Sequence, residues 1–520
     1  MTGDRATRPL RWVTAAGRGL LAAAAALGTA ELAAGAIGRA TASPVLAVGA
    51  GFIDLTPSWL KDFAIRTFGS NDKTVLLIGL GCGIAAAAAV IGLLSRRRLL
   101  WGLLGLALFG VVGVVAALTR PTAEAVDVIP AVFGAACGMA ALALLTRSIR
   151  PTSGEATREE AGPIRVYDRR RVLLTSAGVA VAAAATGVGG RALLRRDNVS
   201  AVRRRLRLPA PVSRAKPVPS GAQVRVPGMT PFRTANSGFY RVDTALVLPQ
   251  VDPRDWTLRI HGMVARPVEL TFDDLLKLDL VERDITLSCV SNQVGGNLAG
   301  NARWLGAPLA PLLRRAGVRS GADQILSRSS DGMTISTPLQ TVLDGRDALL
   351  AVGMNGEPLP IAHGFPARMV VPGLYGYVSA TKWVVDLKVT RFATDQAYWT
   401  KRDYAERAPV KTFSRIDVPK PLARIKAGRV AVAGTAWAQH RGIDAVEWQV
   451  DDGPWRPAQL APVPGIDTWQ QWVAEWDAVP GSHTLRVRAT DGTGATQPER
   501  RAPPLPDGAT GWHSVVVTVT

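Results

Sequence analysis

Cysteine is scarce in this 520-residue chain: there are three, and Cys82 and Cys137 lie inside long apolar stretches, which leaves Cys289 alone in the polar remainder. A lone cysteine has no internal disulfide partner. If it binds a metal, its thiolate is one ligand among others that the protein does not supply. Cysteines inside apolar spans ordinarily pack as small hydrophobes, and Cys82 and Cys137 are assigned no chemistry. Histidine is nearly as rare, and all five (His261, His363, His440, His483 and His513) follow the last apolar span. A membrane haem takes axial imidazoles from its spans, so the membrane part is not a cytochrome b and no haem is expected within this chain. Acidic residues number 41 against 61 basic ones, a net charge of +20. The arginine clusters sit beside apolar spans with no recognition fold, which favours membrane anchoring over nucleic acid.

What the chain has in abundance is apolar length. Val75 to Leu94, Leu99 to Leu118 and Val126 to Leu145 each run for about 20 residues, enough to cross a bilayer core. Trp12 to Ile37 is a fourth span, with Glu31 inside it, and Val172 to Gly190 is a fifth, rich in Ala and Gly. An acid within a span is a candidate for a proton or quinone role, against snorkelling or pairing with a neighbouring helix. Arg5, Arg8, Arg11 and Arg96 to Arg98 place the N-terminus and the next short loop in the cytoplasm. Five spans then put the C-terminal region outside the cell membrane. Arginines flank the last span on both sides (Arg165 and Arg169 to Arg171 before, Arg195, Arg196 and Arg203 to Arg205 after), so charge alone does not orient it.

Composition divides the rest. Residues 1–190 form the membrane region, and 191–228, containing RRRLRLPAPVSRAKPVPSG, lack periodicity and read as an extended linker. In 229–405, β-rich runs such as WTLRIHG and KWVVDLKVT alternate with helical pieces such as FDDLLKL, an α+β mixture. From 411 to 520, runs such as RVAVAGTAW and TLRVRATDG alternate in period two between Asp-Gly turns, the pattern of an all-β immunoglobulin-like sandwich without the cysteine pair.

Four segments carry the chemistry: DITLSCVSN, with Cys289 and Asn292; ARWLGAPLAPLLRRAG from Ala302; MNGEPLPIAHGFPARMVVPG, with His363 and Arg368, continuing to Thr381 and Lys382 before Trp383; and SGFYRVDTALVLPQVDP, with Tyr240 and Arg241. Together they resemble the molybdopterin-binding domain of the sulfite oxidase family. The resemblance covers Phe239 to the C-terminus. It implies that Cys289 ligates molybdenum, the pterin dithiolene providing the other sulfurs. It further implies that His363 and Arg368 hold the pterin and its phosphate, and that Tyr240, Arg241, Asn292, Thr381 and Lys382 line the cofactor. In this family a C-terminal sandwich follows the cofactor domain and often mediates dimerisation, which leaves a homodimer open here. The residue types suit such a ligand, because a pterin presents a row of donors and acceptors and a phosphate, for which arginine makes paired, charge-assisted bonds.

Two departures bear on substrate. Where the family carries its substrate-binding arginine, this chain has Val242 and Asp243, and where the family has an active-site tyrosine it offers Met333. An aspartate there is expected to repel an anion such as sulfite. The reading is a multi-pass membrane oxidoreductase with an extracytoplasmic catalytic domain, performing oxygen-atom transfer on a small substrate and exchanging electrons with a separate cytochrome or quinone. A sulfoxide reductase resembling the periplasmic methionine sulfoxide reductase, and a non-catalytic surface protein with a vestigial cofactor fold, are the alternatives. Molybdopterin is inserted in the cytoplasm within the family, so the domain must cross folded; DRRRVLLTSAGVAVAAAATGVGG, with Arg169 to Arg171 ahead of a weakly apolar stretch, has the form of a twin-arginine export signal, against simple anchoring of a span.

Overall fold

The computed structural model describes residues 7–57, 60, 63–64, 67–68, 72–148, 169–196 and 199–520; Arg5 and Arg165 lie outside them. The chain divides into two compact units, Met1–Asn198 with Thr244–Leu248, and Val199–Asp243 with Pro249–Thr520.

The first unit is helical: α1 (Thr7–Ile37), α2 (Pro44–Leu55), α3 (Asp72–Ser95), α4 (Leu99–Leu118), α5 (Ile129–Arg147) and α6 (Arg169–Arg196). By length and composition five segments are able to cross a membrane: Trp12–Ile37, Lys73–Ser95, Leu99–Leu118, Ala125–Arg147 and Arg170–Leu194. Helix α2 has 12 residues, too few to span a bilayer. The helices meet on small residues, which let their backbones approach closely. Gly19 lies against Ala88, Gly28 against Ala183 and Gly134 against Ala26, and a Cβ at any of the three would overlap a facing carbonyl. Polar partners close the corners: Ser43 Oγ donates to Glu31 Oε1 at 2.5 Å, and Arg39 reaches Asp127 at 2.6 Å and Glu124 at 2.5 Å. Glu31 is thus partnered from the α1–α2 corner.

The second unit begins with α7 (Ser200–Arg205), and residues 206–228, within the stretch read as linker, carry no further helix or strand. They lie along the sheets: Val212 N donates to Leu280 O at 2.8 Å, Glu282 N donates to Ser213 O at 2.8 Å, and Ala222 is buried in the main core. A segment running as one extended strap shows neither helical nor strand periodicity, because only isolated residues such as Leu206, Leu208 and Ala222 meet apolar surface.

Two five-stranded sheets follow. One joins β1 (Thr257–Gly262), β2 (Val268–Thr271), β5 (Gln324–Ser329), β6 (Thr334–Pro338) and β10 (Val384–Thr390) in the order β2-β1-β10-β5-β6. The other runs β3-β4-β7-β8, from β3 (Val281–Ser288), β4 (Ala299–Pro308), β7 (Leu349–Met354) and β8 (Glu357–Pro358), with β9 (Arg368–Val370) paired to β7. Helix α8 (Phe272–Leu276) starts from a Thr271 capping box. Helix α9 (Leu309–Ala316) buries Leu309, Leu312, Leu313 and Ala316, one helical face, and stops at Gly317, whose φ of 70° is the left-handed cap. A further helix, α10 (Leu339–Leu343), follows β6.

The C-terminal part forms two more sheets, β11 (Phe413–Val418), β13 (Gly428–Trp437), β17 (Gln470–Ala478) and β16 (Gln459–Leu460), and β12 (Arg424–Ile425), β19 (His513–Val519), β18 (Gly481–Asp491), β14 (Ile443–Val450) and β15 (Arg456–Pro457). Both contribute to one core, Val432, Trp472 and Trp476 from the first and Trp448, Leu485 and Val517 from the second. This part is also keyed into the first two sheets. Gln439 Nε2 donates to Thr286 O at 3.0 Å, Trp469 N to Thr286 Oγ1 at 2.7 Å, and Trp469 Nε1 to Phe232 O at 2.7 Å.

Candidate active site

Cys289 is the first residue beyond β3, in the loop that returns to β4. The turn is set by Asn292: its N–H donates to Cys289 O at 3.1 Å and its Oδ1 accepts from Leu298 N at 2.8 Å, while Cys289 N donates to Leu298 O at 2.9 Å. Arg415 of β11 donates to Gly296 O at 2.7 Å and pins the far side of the loop. Cys289 is 8 % exposed and Asn292 2 %.

His363 and Arg368 meet across a tight turn. Gly364 adopts φ 111°, open to glycine at little cost, and a Cβ there would sit 2.9 Å from Arg368 Cβ. Arg368 is buried and donates to His363 O at 3.0 Å, with longer contacts to Ala380 O and Met369 O, and its guanidinium lies 5.0 Å from the centre of the Trp304 ring. Its fork is therefore spent on backbone carbonyls, which makes Arg368 a clamp on the 363–380 loop as well as a buried positive charge. Burial lowers it to about 10, so it stays charged at neutral pH. His363 is driven by burial, and then by Arg368, down to about 4 and is neutral. Its Nε2 faces Asn236 O at 3.1 Å; a carbonyl only accepts, so Nε2 carries the proton and Nδ1 is left as acceptor.

Tyr240 stacks on Phe239 at 5.1 Å, and Phe239 in turn meets Trp304 and His363 edge-on at 5.8 and 5.5 Å. Gly300 makes room for this ring: a Cβ there would lie 2.7 Å from Phe239. Burial raises the Tyr240 phenol far above its ordinary value, with a further push from Cys289 and an opposing pull from Arg368, so the three groups share one electrostatic neighbourhood.

Lys382, Asp243 and Arg241 form a second knot. Lys382 Nζ and Arg241 Nε both reach Asp243 Oδ2, at 2.7 and 2.8 Å. Burial lowers Lys382 to about 8 against the raising pull of Asp243. The expected repulsion of an anion by Asp243 is corrected by this geometry: the carboxylate is 5 % exposed and answered by two cations, and the knot is net positive. Thr381 is buried with its Oγ1 2.6 Å from Ser327 Oγ, and Met333 sits at the β5–β6 turn with its N–H on Asp331 at 3.2 Å. Arg241 is exposed, unlike its neighbours.

Residues 245–399 match the family described as oxidoreductase molybdopterin binding domain. Mitochondrial sulfite oxidase of Drosophila melanogaster is 30% identical over 325 residues, 52% of this chain and 56% of that protein. The uncharacterized oxidoreductase YuiH of Bacillus subtilis is 31% identical over 183 residues, 35% of this chain and 87% of that protein. The chain belongs to the sulfite oxidase superfamily. Residues 245–399 carry that family's molybdopterin-binding oxidoreductase domain. Among solved structures, the sulfane dehydrogenase SoxCD of Paracoccus pantotrophus aligns with a TM-score of 0.46 and 25% identity over 51% of this chain and 74% of that one. The chain spans 56% of the length of the Drosophila melanogaster and Mus musculus sulfite oxidases it matches.

The site fits the cofactor this superfamily domain binds. Among the described residues no group of three or more His, Cys, Asp or Glu side chains is placed to hold a metal. Three buried polar atoms on the surrounding elements have no partner among the described residues: Asn292 Nδ2 in the cysteine loop, and Ser329 Oγ and Ser330 Oγ beside the Trp383 backbone. Such atoms cost about 1–3 kcal/mol each unless a ligand meets them. A Cβ added to Gly376 would stand 3.7 Å from both Ser288 O and Tyr240 OH, in ordinary contact with each. The hydroxyls of β5 and the aromatic support from Phe239 and Trp304 were missed from sequence; the Phe239–Tyr240 pair and the Trp in ARWLG were their only signals.

Proposed function

We propose that this protein is a membrane-anchored molybdopterin oxidoreductase that performs two-electron oxygen-atom transfer on a small substrate at an extracytoplasmic site. In this reading five helices cross the cell membrane, residues 229–405 bind the cofactor, and 411–520 form an immunoglobulin-like sandwich. The carrying observation is that Cys289 shares a buried neighbourhood with Tyr240 and Arg368. When bound, the molybdenum cofactor supplies the two-electron redox change and the position where oxygen is exchanged. The chain's own residues bind and orient it. Cys289 offers the soft thiolate that such a metal prefers over oxygen donors. Neutral His363 presents an acceptor nitrogen at Nδ1, and Arg368 and Lys382 offset the charge of an anionic ligand. Tyr240, held protonated by burial, keeps a hydroxyl donor next to Cys289. Because Asp243 is paired, an anionic substrate meets a net positive knot, and sulfite stays among the substrates to test.

The test uses the full chain purified in detergent, its molybdenum and pterin content measured, and a redox-dye assay against sulfite, sulfoxides and N-oxides. Turnover of one of these classes in proportion to bound molybdenum is expected. A fully loaded protein inert toward all three would remove oxygen-atom transfer from the reading.

A further inference from the structure

The C-terminal sheets touch the cysteine loop at two successive glycines. Arg415 Nη1 donates to Gly296 O at 2.7 Å, and the ring of His513 lies against Gly295, where an added Cβ would stand 2.3 Å from Nε2 and 2.4 Å from Cδ2. Gly295 holds φ 78°, the left-handed region that glycine enters at little cost, so the loop turns here and offers the ring bare backbone. The loop conveys both contacts to the thiol. A Cβ at Gly296 would stand 2.7 Å from Asn292 Oδ1, the atom that accepts from Leu298 N, while Asn292 N and Leu298 O are hydrogen-bonded to Cys289 O and Cys289 N. A displacement at Gly295 and Gly296 therefore moves Asn292 and Leu298, and Cys289 with them.

Both side chains are fixed independently of the loop. Arg415 is buried on β11; its Nε donates to Asp417 Oδ1 at 2.8 Å and its Nη2 to Thr230 Oγ1 at 3.2 Å, which leaves Nη1 for Gly296. The register of β11 against β13 shifts between Ile416 and Val418, and a bulge of this kind re-aims side chains. Here Asp417 is held on Arg415, and its other oxygen accepts from Thr435 Oγ1 at 3.3 Å. His513 opens β19, and its Nδ1 accepts from Ile416 N at 3.0 Å. The neutral ring therefore carries its proton on Nε2, the nitrogen that faces Gly295. Two neighbouring residues of β11 thus set both anchors, Arg415 directly and Ile416 through His513.

We propose that Arg415 and His513 are positioning residues for Cys289: from the C-terminal sheets they clamp the cysteine loop and fix where its thiol stands. A loop with two glycines in succession has wide conformational freedom, and a ligand to a metal must be held by its surroundings to within about 0.5 Å. The clamp supplies that restraint. Arg415 joins three separate segments, at Thr230, Gly296 and Asp417, through three nitrogens, which a lysine with its single nitrogen reproduces only in part. The effect of the clamp on turnover rests on the reading of Cys289 as the metal ligand; its effect on the thiol does not.

The test reads the thiol in the full chain, produced in a host that makes no molybdopterin and purified in detergent. Iodoacetamide alkylation of Cys289 is followed by mass spectrometry of its own peptide, so Cys82 and Cys137 do not interfere. Local opening of the loop in Arg415→Ala and in His513→Ala is expected to raise the rate ~5-fold or more in each. Arg415→Lys should recover part of the restraint, and the Arg415→Ala/His513→Ala double variant should rise by less than the product of the single effects, because both side chains hold one loop. Val432→Ala trims the core of the same C-terminal sheets and controls for general loosening: its melting temperature should fall while Cys289 alkylation stays native. Native alkylation rates in both Arg415→Ala and His513→Ala, or a rise equalled by Val432→Ala, would overturn the proposal. If Arg415→Ala does not assemble, Arg415→Lys and His513→Ala carry the same comparison. In chain produced with molybdopterin, Arg415→Lys should also lower the rate per bound molybdenum. Faster alkylation in variants of a protein that takes up no molybdenum would sink the ligand reading and leave the clamp standing.

Discussion

Lys382 Nζ lies 2.7 Å from Asp243 Oδ2, and the two residues are 139 positions apart in the chain. The contact joins the segment after the Phe239–Tyr240 pair to the Thr381–Lys382 corner, and its charge balance sets how the site receives an anion. Lys382 stands at about 8 before any ligand binds. An anionic ligand raises it, so affinity is full below about pH 8 and falls as pH climbs through that value. Asp243→Asn removes the main raising influence, and the loss is expected to move to lower pH. Molybdenum and pterin retained after washing at pH 7 and at pH 9 check this: the native protein should lose cofactor chiefly at pH 9, the variant already at pH 7. Equal retention by both proteins at both values would contradict the role given to the pair.

Arg368→Ala removes a buried guanidinium that holds His363 O and stacks on Trp304. A charged hydrogen bond of this kind contributes about 1.5–3 kcal/mol. Cofactor occupancy should fall, rate per bound molybdenum should stay near native, and Arg368→Lys should restore little because it lacks the fork. Full occupancy with a collapsed rate per metal would assign Arg368 to the substrate instead.

His363 and His513 are both buried and both lowered from 6.5 to about 4, chiefly by burial, and His513 Nδ1 accepts from Ile416 N at 3.0 Å. A histidine whose folded value is depressed favours the folded state fully above pH 6.5, and that contribution is lost as pH falls through about 4. Each such shift amounts to ~3 kcal/mol. The melting temperature of the full chain in detergent should therefore drop between pH 6.5 and 4, and His513→Gln should flatten that drop while lowering stability at pH 7. A melting temperature constant across this window would refute the assignment.

The sequence made the covalent chemistry legible and left the support hidden. Cys289, His363 and Arg368 stand in contiguous runs, and the five helices long and apolar enough to cross a membrane announce themselves by apolar length. Helix α2 was invisible because 12 residues of apolar sequence after a Ser-Pro entry carry no length signal. The pairing of Asp243 escaped because its partner is remote in sequence, and a carboxylate read alone looks like a negative charge when it is one member of a positive knot. The strap over 206–228 reads as linker for a similar reason: its order comes from the Val212–Leu280 and Glu282–Ser213 backbone hydrogen bonds, which no local period encodes.

Arg169, Arg170 and Arg171 open α6. Replacing all three by Lys keeps the charge that anchors a span on its cytoplasmic side. If the run is a twin-arginine signal, the variant should retain residues 229–520 in the cytoplasm, protected from protease added to intact spheroplasts, while the native domain is digested. Equal digestion of both proteins would leave these arginines as anchors alone.

The most direct test of the central claim is X-ray absorption at the molybdenum edge on the native chain and on Cys289→Ser. The sulfur shell is expected to lose one Mo–S contribution in the variant, with pterin content largely kept and turnover abolished, because an oxygen donor replaces a soft thiolate poorly. An identical sulfur shell in the two proteins, or undiminished turnover at full molybdenum occupancy in Cys289→Ser, would contradict it.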